Sequence, residues 1–387
     1  MPALSRDIVI AGIGETKVGR LTGMSSVEIQ ALAVLAALDD AGVALRDLDG
    51  LINLDPYATP NSMFSSTLAE YLGLKPRFLS TVDVGGTVTG MTMIQQAAWA
   101  IEAGHCDLCV CVYGEDTLSG RAAGVQGLHM HNLLGGEEWE EPFGLQGMVI
   151  PYALLTQRYF DLYDANRDDL AAVAVTTREH ALRNDNAQMK KPITVEDYYA
   201  ARPISTPLGL LDCSLVSDGG GAVLLASRER ARSLGARVVP VRSMAMQFTH
   251  NTVALMPDIP DLGMAPAGQR AFEDAGIGPK DIDFAALHDA FTISVLVTLD
   301  ALGFSRPGEA GAMVRGGATK LGGSLPLNTH GGLLSQAHVG GMLHITEAVR
   351  QLRGEAGKRQ VEGARHAIVS GNGGVFSICG VMILEAA

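Results

Sequence analysis

The 387-residue sequence predicts an α/β fold made of two related halves, and three features support this. The first is an internal repeat. AALDDAGVALRDLDGLINL near residue 40 and AFEDAGIGPKDIDFAALHD near residue 271 align with Ala41-Gly42 on Ala275-Gly276 and Asp47-x-Asp49 on Asp281-x-Asp283, an offset of 234 in each case. The second is another echo, of a helix followed by a strand, between MTMIQQAAWAIEAGHCDLCVCVYG and MLHITEAVRQLRG…GARHAIVSGNGG. The third is composition: 47% hydrophobic residues, 18% charged residues and 46 glycines describe a chain that buries a large core and is too apolar for disorder. Chance likeness between short amphipathic helices is the alternative reading of the repeat.

The chain opens on IVIAG, read as a strand, followed by Gly12-x-Gly14. That pair is half of a dinucleotide fingerprint, but the next glycine is Gly19, so a plain strand-to-loop turn is the better reading. Each repeat copy then reads as a helix stopped by glycine, a turn, and an apolar strand. The helix after Thr89 is apolar on nearly every face apart from Gln95 and Gln96, which predicts a buried helix. His105-Cys106-x-x-Cys109-x-Cys111 invites a zinc reading, yet Cys109 and Cys111 share one face of an apolar run and no second ligand pair follows. A tetrahedral site needs four converging ligands, so buried thiols and no metal are expected.

From about residue 115 to 235 the texture changes. The stretch 135–144 is a glycine- and acid-rich loop, helices are expected at Val149–Leu162 and Leu170–Leu182, and one short strand is expected at Gly221–Ala226. This region reads as an insertion or cap carrying ligand-facing loops. Trp139, Phe143, Tyr152, Tyr159 and Phe160 crowd one part of it and suit either an acyl tunnel or an interface. Further on, Gly316-Gly317-Ala318-Thr319-Lys320 is no phosphate loop, because Leu321 stands where Ser or Thr must hold the metal.

Charge excludes some partners. With 29 Lys+Arg against 42 Asp+Glu the net charge is −13, so neither nucleic acid nor an anionic membrane surface is expected. No apolar run reaches the length of a membrane span and no signal peptide is read at the start. Five cysteines among apolar neighbours read as reduced thiols in a cytoplasmic protein.

The chemistry concentrates in the C-terminal third. His288 ends a strand-like run and opens an apolar helix; NTHGGLLSQAHVGGM begins in a glycine-rich loop and runs into a helix holding His338 and His344; SGNGG (370–374) follows the strand His366–Val369. Glycines after strand ends let backbone N–H groups approach a polarised oxygen. Neutral imidazoles beside them move protons near pH 7 or donate to that oxygen. Each histidine alone also suits a place without a role.

With these motifs in view the sequence resembles the thiolase superfamily, and within it the sterol-carrier-protein-type thiolases and thiolase-like lipid-transfer proteins. The likeness runs from IVIAGIGETKVGR through VTTREHALRNDNA, LDCSLVSDGGGAVLL, LHDAF and NTHGGLLSQAHVGGM to SGNGG. It implies a five-layered αβαβα fold with two mixed sheets, an N-terminal half over 1–240 with an inserted cap at about 115–215, and a C-terminal half over 241–387. It also implies a coenzyme A thioester as substrate or product, no tightly bound cofactor, and a homodimer. Carried over by position, the histidine that activates the family's nucleophile falls on His338. His288 falls where the family builds an oxyanion hole. Asn328 and His330 precede Gly331 and Gly332 where the family has Asn-x-Asn before Gly-Gly, and Asn372 and Gly373 lie in the stretch of the second cysteine. The nucleophile motif Cys-x-Ser-Gly falls on Thr87-Val88-Thr89-Gly90, so neither catalytic cysteine is present.

A threonine hydroxyl is a far poorer nucleophile than a thiolate at neutral pH. The resemblance therefore implies carbon–carbon bond chemistry on an acyl-CoA without an acyl-cysteine. Retro-aldol cleavage of a β-hydroxyacyl-CoA is the leading form, catalysed by His338 and His288 with Thr87 and Asn372 shaping the site. Relatives of that kind work with a small OB-fold/zinc-ribbon partner and use tyrosines near the two histidine positions. Acetyl-CoA C-acyltransferase (thiolase) activity and a non-catalytic acyl-CoA or lipid carrier or scaffold are the alternatives.

Overall fold

A computed structural model of the chain describes residues 8–57, 60, 63–122, 139–145 and 147–387. The strands are β1 Ile8–Glu15, β2 Gly50–Asn53, β3 Phe78–Thr81, β4 Leu108–Asp116, β5 Pro203–Ser205, β6 Leu208–Gly209, β7 Asp218–Ser227, β8 Val239–Phe248, β9 Phe284–Ala286, β10 His366–Gly373 and β11 Ile378–Glu385. Nine of them follow the order β3-β2-β4-β7-β1-β8-β11-β10-β9, while β5 and β6 form a separate ribbon.

The duplication is written in this order. In the first half β2 runs parallel to β3 and β4, and β7 runs antiparallel to β4 and β1. In the second half β9 runs parallel to β10, and β11 runs antiparallel to β10 and β8. The place of β3 is taken there by a single parallel bridge between Ala285 and Leu327. The two repeat helices, Ser26–Ala41 and Met264–Ala275, each end on a glycine in the left-handed region, Gly42 at φ 67° and Gly276 at φ 66°.

Two separate sheets were the expectation. The half-sheets instead touch at their edges, where β1 meets β8 through Val9–Pro240 and Ile10–Val239 alone. Pro240 has no N–H to donate, so the join stays short. Both half-sheets cover the same two central helices: Val88–Glu102 packs on β4, β7, β10 and β11, and Met342–Arg353 on β1, β7, β9 and β10. Helix Ser26–Ala41 covers the outside of the first half-sheet and Met264–Ala275 that of the second, which completes the five layers.

Both faces of the central strands are therefore buried, and β1, β4, β7, β10 and β11 read as nearly continuous apolar runs. Ile8 and Ile10 of β1 join Met91, Ile94 and Ile345 in the middle core, while Val9 and Ala11 join Val34 and Ala37 outside. Cys106, Cys109 and Cys111 belong to that middle core. The central helix Val88–Glu102 is buried along most of its length, with Trp99 exposed.

The expected helices occur at Val149–Tyr163 and Arg167–Ala181. The short strand expected at Gly221–Ala226 is longer, Asp218–Ser227, and it is a central strand of the sheet that pairs with both β1 and β4. Residues 135–138 of the acidic loop lie outside the described residues. Gly371 and Gly373 of SGNGG do not follow their strand but lie within it, since β10 continues to Gly373, and only Gly374 comes after it. A Cβ on Gly371 would stand 2.8 Å from the Val88 nitrogen, so a bare backbone there lets the central helix begin against β10. Gly371→Ala is expected to lower stability by about 1–3 kcal/mol, an overpacking penalty, read as a lower urea midpoint. An unchanged midpoint would contradict this packing.

Candidate active site

Thr87 caps the start of the central helix Val88–Glu102 and is buried. Its backbone clasps β10: the Thr87 N–H donates to the Asn372 carbonyl at 3.0 Å, and the Asn372 N–H donates to Thr87 Oγ1 at 3.1 Å. Thr87 Oγ1 also lies 2.7 Å from His288 Nδ1. The Asn372 N–H occupies one hydroxyl lone pair, so the hydroxyl proton is best used toward His288 Nδ1; the only competing acceptor among the described residues, the Asn372 carbonyl, is at 3.5 Å. This chain assigns the ring proton of His288 to Nε2.

His288 lies between β9 and helix Thr292–Ala301, at the strand end where it was expected. Its N–H donates to Ser370 Oγ at 3.1 Å. The peptide before it is held by Asn328, whose Oδ1 accepts from the Leu287 N–H at 2.8 Å and whose Nδ2 donates to the Leu287 carbonyl at 2.9 Å. Burial, then the charges of His338 and His344, push His288 well below the usual histidine range. It is a neutral ring at physiological pH.

His338 was expected on a helix but lies in the loop before helix Met342–Arg353, where the glycines at 340 and 341 keep the chain from coiling earlier. Its Nδ1 is 3.2 Å from Ser214 Oγ and its N–H donates to Ser217 Oγ at 3.2 Å. A Cβ on Gly341 would stand 2.6 Å from the Thr87 Cβ, so this loop packs directly on Thr87. Burial pushes His338 down to about 4, opposed by the nearby Asp289 carboxylate and assisted by His344. It too is neutral near pH 7, with a lone pair to offer.

Asn372 faces Tyr152. Its Nδ2 donates to the Tyr152 hydroxyl at 3.4 Å, and its Oδ1 is buried without a partner among the described residues. Tyr152 donates to the Gly374 carbonyl at 3.0 Å and stacks on Phe291 at 4.3 Å; burial raises its hydroxyl, which stays protonated. The aromatic stretch thus divides: Tyr152 and Tyr159 are buried, while Trp139 and Phe143 are exposed.

The other residues singled out from the sequence are buried in and just before the turn 331–336 and in β10. Gly331 and Gly332 form a tight turn against Ala181 and Asp289. His330 is buried with its ring 4.8 Å from that of His344. Gly373 sits in β10, where a Cβ would be 2.6 Å from the Gly85 carbonyl oxygen. No thiol stands at Thr87. Burial pushes the Cys213 thiol up to about 12 and also raises Cys379, whose Sγ donates to the Phe376 carbonyl. Among the described residues no three His, Cys, Asp or Glu side chains group as metal ligands, and no helix is long and apolar enough to cross a membrane.

Sequence reasoning missed Ser214, Ser217, Ser370 and Asp289. The first two lie in LDCSLVSDGGG, a run that carries the resemblance but whose serines signal no chemistry by themselves.

The family described as Thiolase, N-terminal domain matches residues 8–229, and Thiolase C-terminal domain-like matches residues 245–386. The chain belongs to the thiolase family. It is 35% identical over 386 residues to a steroid side-chain-cleaving aldolase of Thermomonospora curvata, covering 96% of this chain and 97% of that one. It is 34% identical over 385 residues to the 17-hydroxy-3-oxo-4-pregnene-20-carboxyl-CoA lyase of Mycobacterium tuberculosis, covering 96% and 98%. The solved Ltp2-ChsH2(DUF35) aldolase matches with a TM-score of 0.89 and 34% identity over 99% of this chain and 98% of that one. This thiolase-family chain, without a cysteine at Thr87, therefore sits beside aldolase and lyase relatives.

The neutral histidines also set how the fold responds to acid. Between the ordinary histidine value of 6.5 and about 4, the unfolded chain binds a proton at His338 that the folded chain does not, so stability falls as pH falls through this window. His338→Gln removes that share, and its urea midpoint is expected to drop less between about pH 7 and pH 5 than that of the wild type. Equal drops would show that His338 is not held neutral by the fold.

Proposed function

We propose that this enzyme cleaves a β-hydroxyacyl-CoA by a retro-aldol reaction, without an acyl-enzyme. The observation that carries this reading is the chain Asn372 N–H to Thr87 hydroxyl to His288 Nδ1, with bonds of 3.1 and 2.7 Å. It commits the hydroxyl at the family's nucleophile position as a donor and turns the His288 Nε2–H outward as a second donor.

In this mechanism His338, its Nδ1–H donated to Ser214, takes the proton of the substrate's β-hydroxyl on Nε2. The bond between the α and β carbons breaks, the β carbon becomes a carbonyl, and the electron pair passes to the thioester as an enolate. The His288 Nε2–H stabilises the enolate oxygen in a dry site, where such a donor is worth most. The imidazolium of His338 then protonates the α carbon, which returns the base to its starting form. Asn372 shapes the site through its backbone, and Asn328, His330, Gly331, Gly332 and Gly373 form the frame beside which the CoA thioester binds.

The same reading extends to assembly. A homodimer is supported by β3, an edge strand that exposes Leu79 and has no neighbour on its outer side among the described residues. A small OB-fold/zinc-ribbon partner is supported by the two-component name of the Ltp2-ChsH2(DUF35) aldolase. All five cysteines are free thiols, in keeping with a cytoplasmic location.

The test uses 17-hydroxy-3-oxo-4-pregnene-20-carboxyl-CoA, the compound that names one relative, with and without the small partner protein. A retro-aldol product pair, a 17-ketone and propanoyl-CoA, is expected. His338→Ala should cost about 10²–10⁴-fold in kcat, whereas Thr87→Val should cost what one hydrogen bond contributes, about 0.5–1.5 kcal/mol. Alkylation of accessible cysteines should leave turnover intact. CoA-dependent cleavage of a 3-ketoacyl-CoA with an acyl ester trapped on Thr87 would favour an acyltransferase instead, and tight binding of both esters without turnover would favour a carrier.

A further inference from the structure

His344 stands in the first turn of helix Met342–Arg353 and is buried. Its Nε2 lies 3.0 Å from the Leu287 carbonyl oxygen and 3.1 Å from Asp289 Oδ1. Leu287 and Asp289 are the two residues that flank His288. A carbonyl oxygen can only accept, so Nε2 carries the proton and shares it between the two.

The Asp289 carboxylate is fully buried and holds a second segment. Its Oδ1 accepts from the Leu333 N–H at 2.8 Å, and its Oδ2 accepts from the Leu334 N–H at 3.4 Å. Leu333 and Leu334 belong to the turn Gly332–Gln336, which leads directly into His338. Gly332 lies so close that a Cβ there would collide with the carboxylate. One imidazole and one carboxylate thus connect three separate pieces of chain: the peptide on either side of His288, the turn before His338, and the helix after it. A buried carboxylate left without its donors is costly, so the bonds hold this arrangement together as a unit.

We propose that His344 and Asp289 are positioning residues, a buried imidazole–carboxylate pair that sets the spacing and orientation of His288 relative to His338. This rests on the reading of those two histidines as the proton-handling pair. In the retro-aldol step the base must reach the β-hydroxyl while the donor meets the thioester oxygen of the same molecule, so the rate depends on their separation. Neither His344 nor Asp289 touches the reacting atoms in this account.

The discriminating variants are His344→Gln, which keeps an N–H donor at similar reach, and His344→Phe, which keeps ring volume without a donor. Two readouts are taken on the full-length protein below the melting temperature of each variant. Steady-state turnover of 17-hydroxy-3-oxo-4-pregnene-20-carboxyl-CoA is expected to show the Gln variant near wild type. The Phe variant should fall about 10–100-fold in kcat with little change in KM, the loss of a hydrogen bond to a charged group that orders a catalytic pair. Nitrogen NMR of ¹⁵N-histidine-labelled protein, with signals assigned from His288→Gln and His338→Gln, is expected to give the wild-type ring signals of His288 and His338 in the Gln variant and altered ones in the Phe variant. Equal behaviour of the two variants, whether both intact or both impaired, or a Phe variant better than the Gln variant, overturns the proposal. The NMR comparison needs no turnover, so it still decides the point should the CoA ester prove not to be a substrate.

Discussion

Thr87 has one hydroxyl proton, and the surrounding chain leaves it one good acceptor. The Asn372 N–H points at the oxygen from β10, and His288 Nδ1 waits 2.7 Å away on the other side. These bonds join two halves of the protein: Thr87 belongs to the first half, while Asn372 and His288 belong to the second. It also decides which nitrogen of His288 is free to meet a ligand. Most of the site's other features keep this arrangement dry and close. Gly371 admits the start of the central helix to β10, and Gly341 admits the His338 loop to Thr87.

The same burial makes the histidines chemically useful. An imidazolium is costly in a low-dielectric interior, so His288 and His338 are held neutral. A neutral imidazole has one donor and one acceptor, and its partner determines which nitrogen is which. Thr87 makes that choice for His288; Ser214, on the segment that leads into β7, is the partner of His338. The segment that leads into β7 therefore supports one of the two rings.

The thiolase frame is retained while the thiolase nucleophile is not. Where a thiolate would stand at the positive end of the central helix, there is a hydroxyl already engaged with its neighbours. The chain's own cysteines do not compensate: Cys379 lies on β11 opposite Asn372, with its thiol donated to a carbonyl and raised by burial. A fold by itself does not prescribe a reaction. In the proposed reaction this site supplies proton handling and oxyanion stabilisation, and the chain as a whole is 34–35% identical to aldolase and lyase relatives.

By itself the sequence determined the elements whose cause is local. The glycines that stop both repeat helices and the apolar runs of strands buried on two faces follow from patterns within a dozen residues, and the repeat at an offset of 234 follows from comparing two such stretches. His288 at a strand end was legible for the same reason, and the absence of a cysteine at Thr87 was legible from a motif. Only the tertiary structure decided what meets what. Thr87 reaches His288 across 201 residues and Asn372 across 285. It also decided that β10 runs on through Gly373, that His338 lies on a loop, and that Ser214 and Asp289 stand beside the two rings. Those facts depend on which strand lies next to which. Long-range hydrogen bonds and shared burial fix that order, and no local periodicity encodes them.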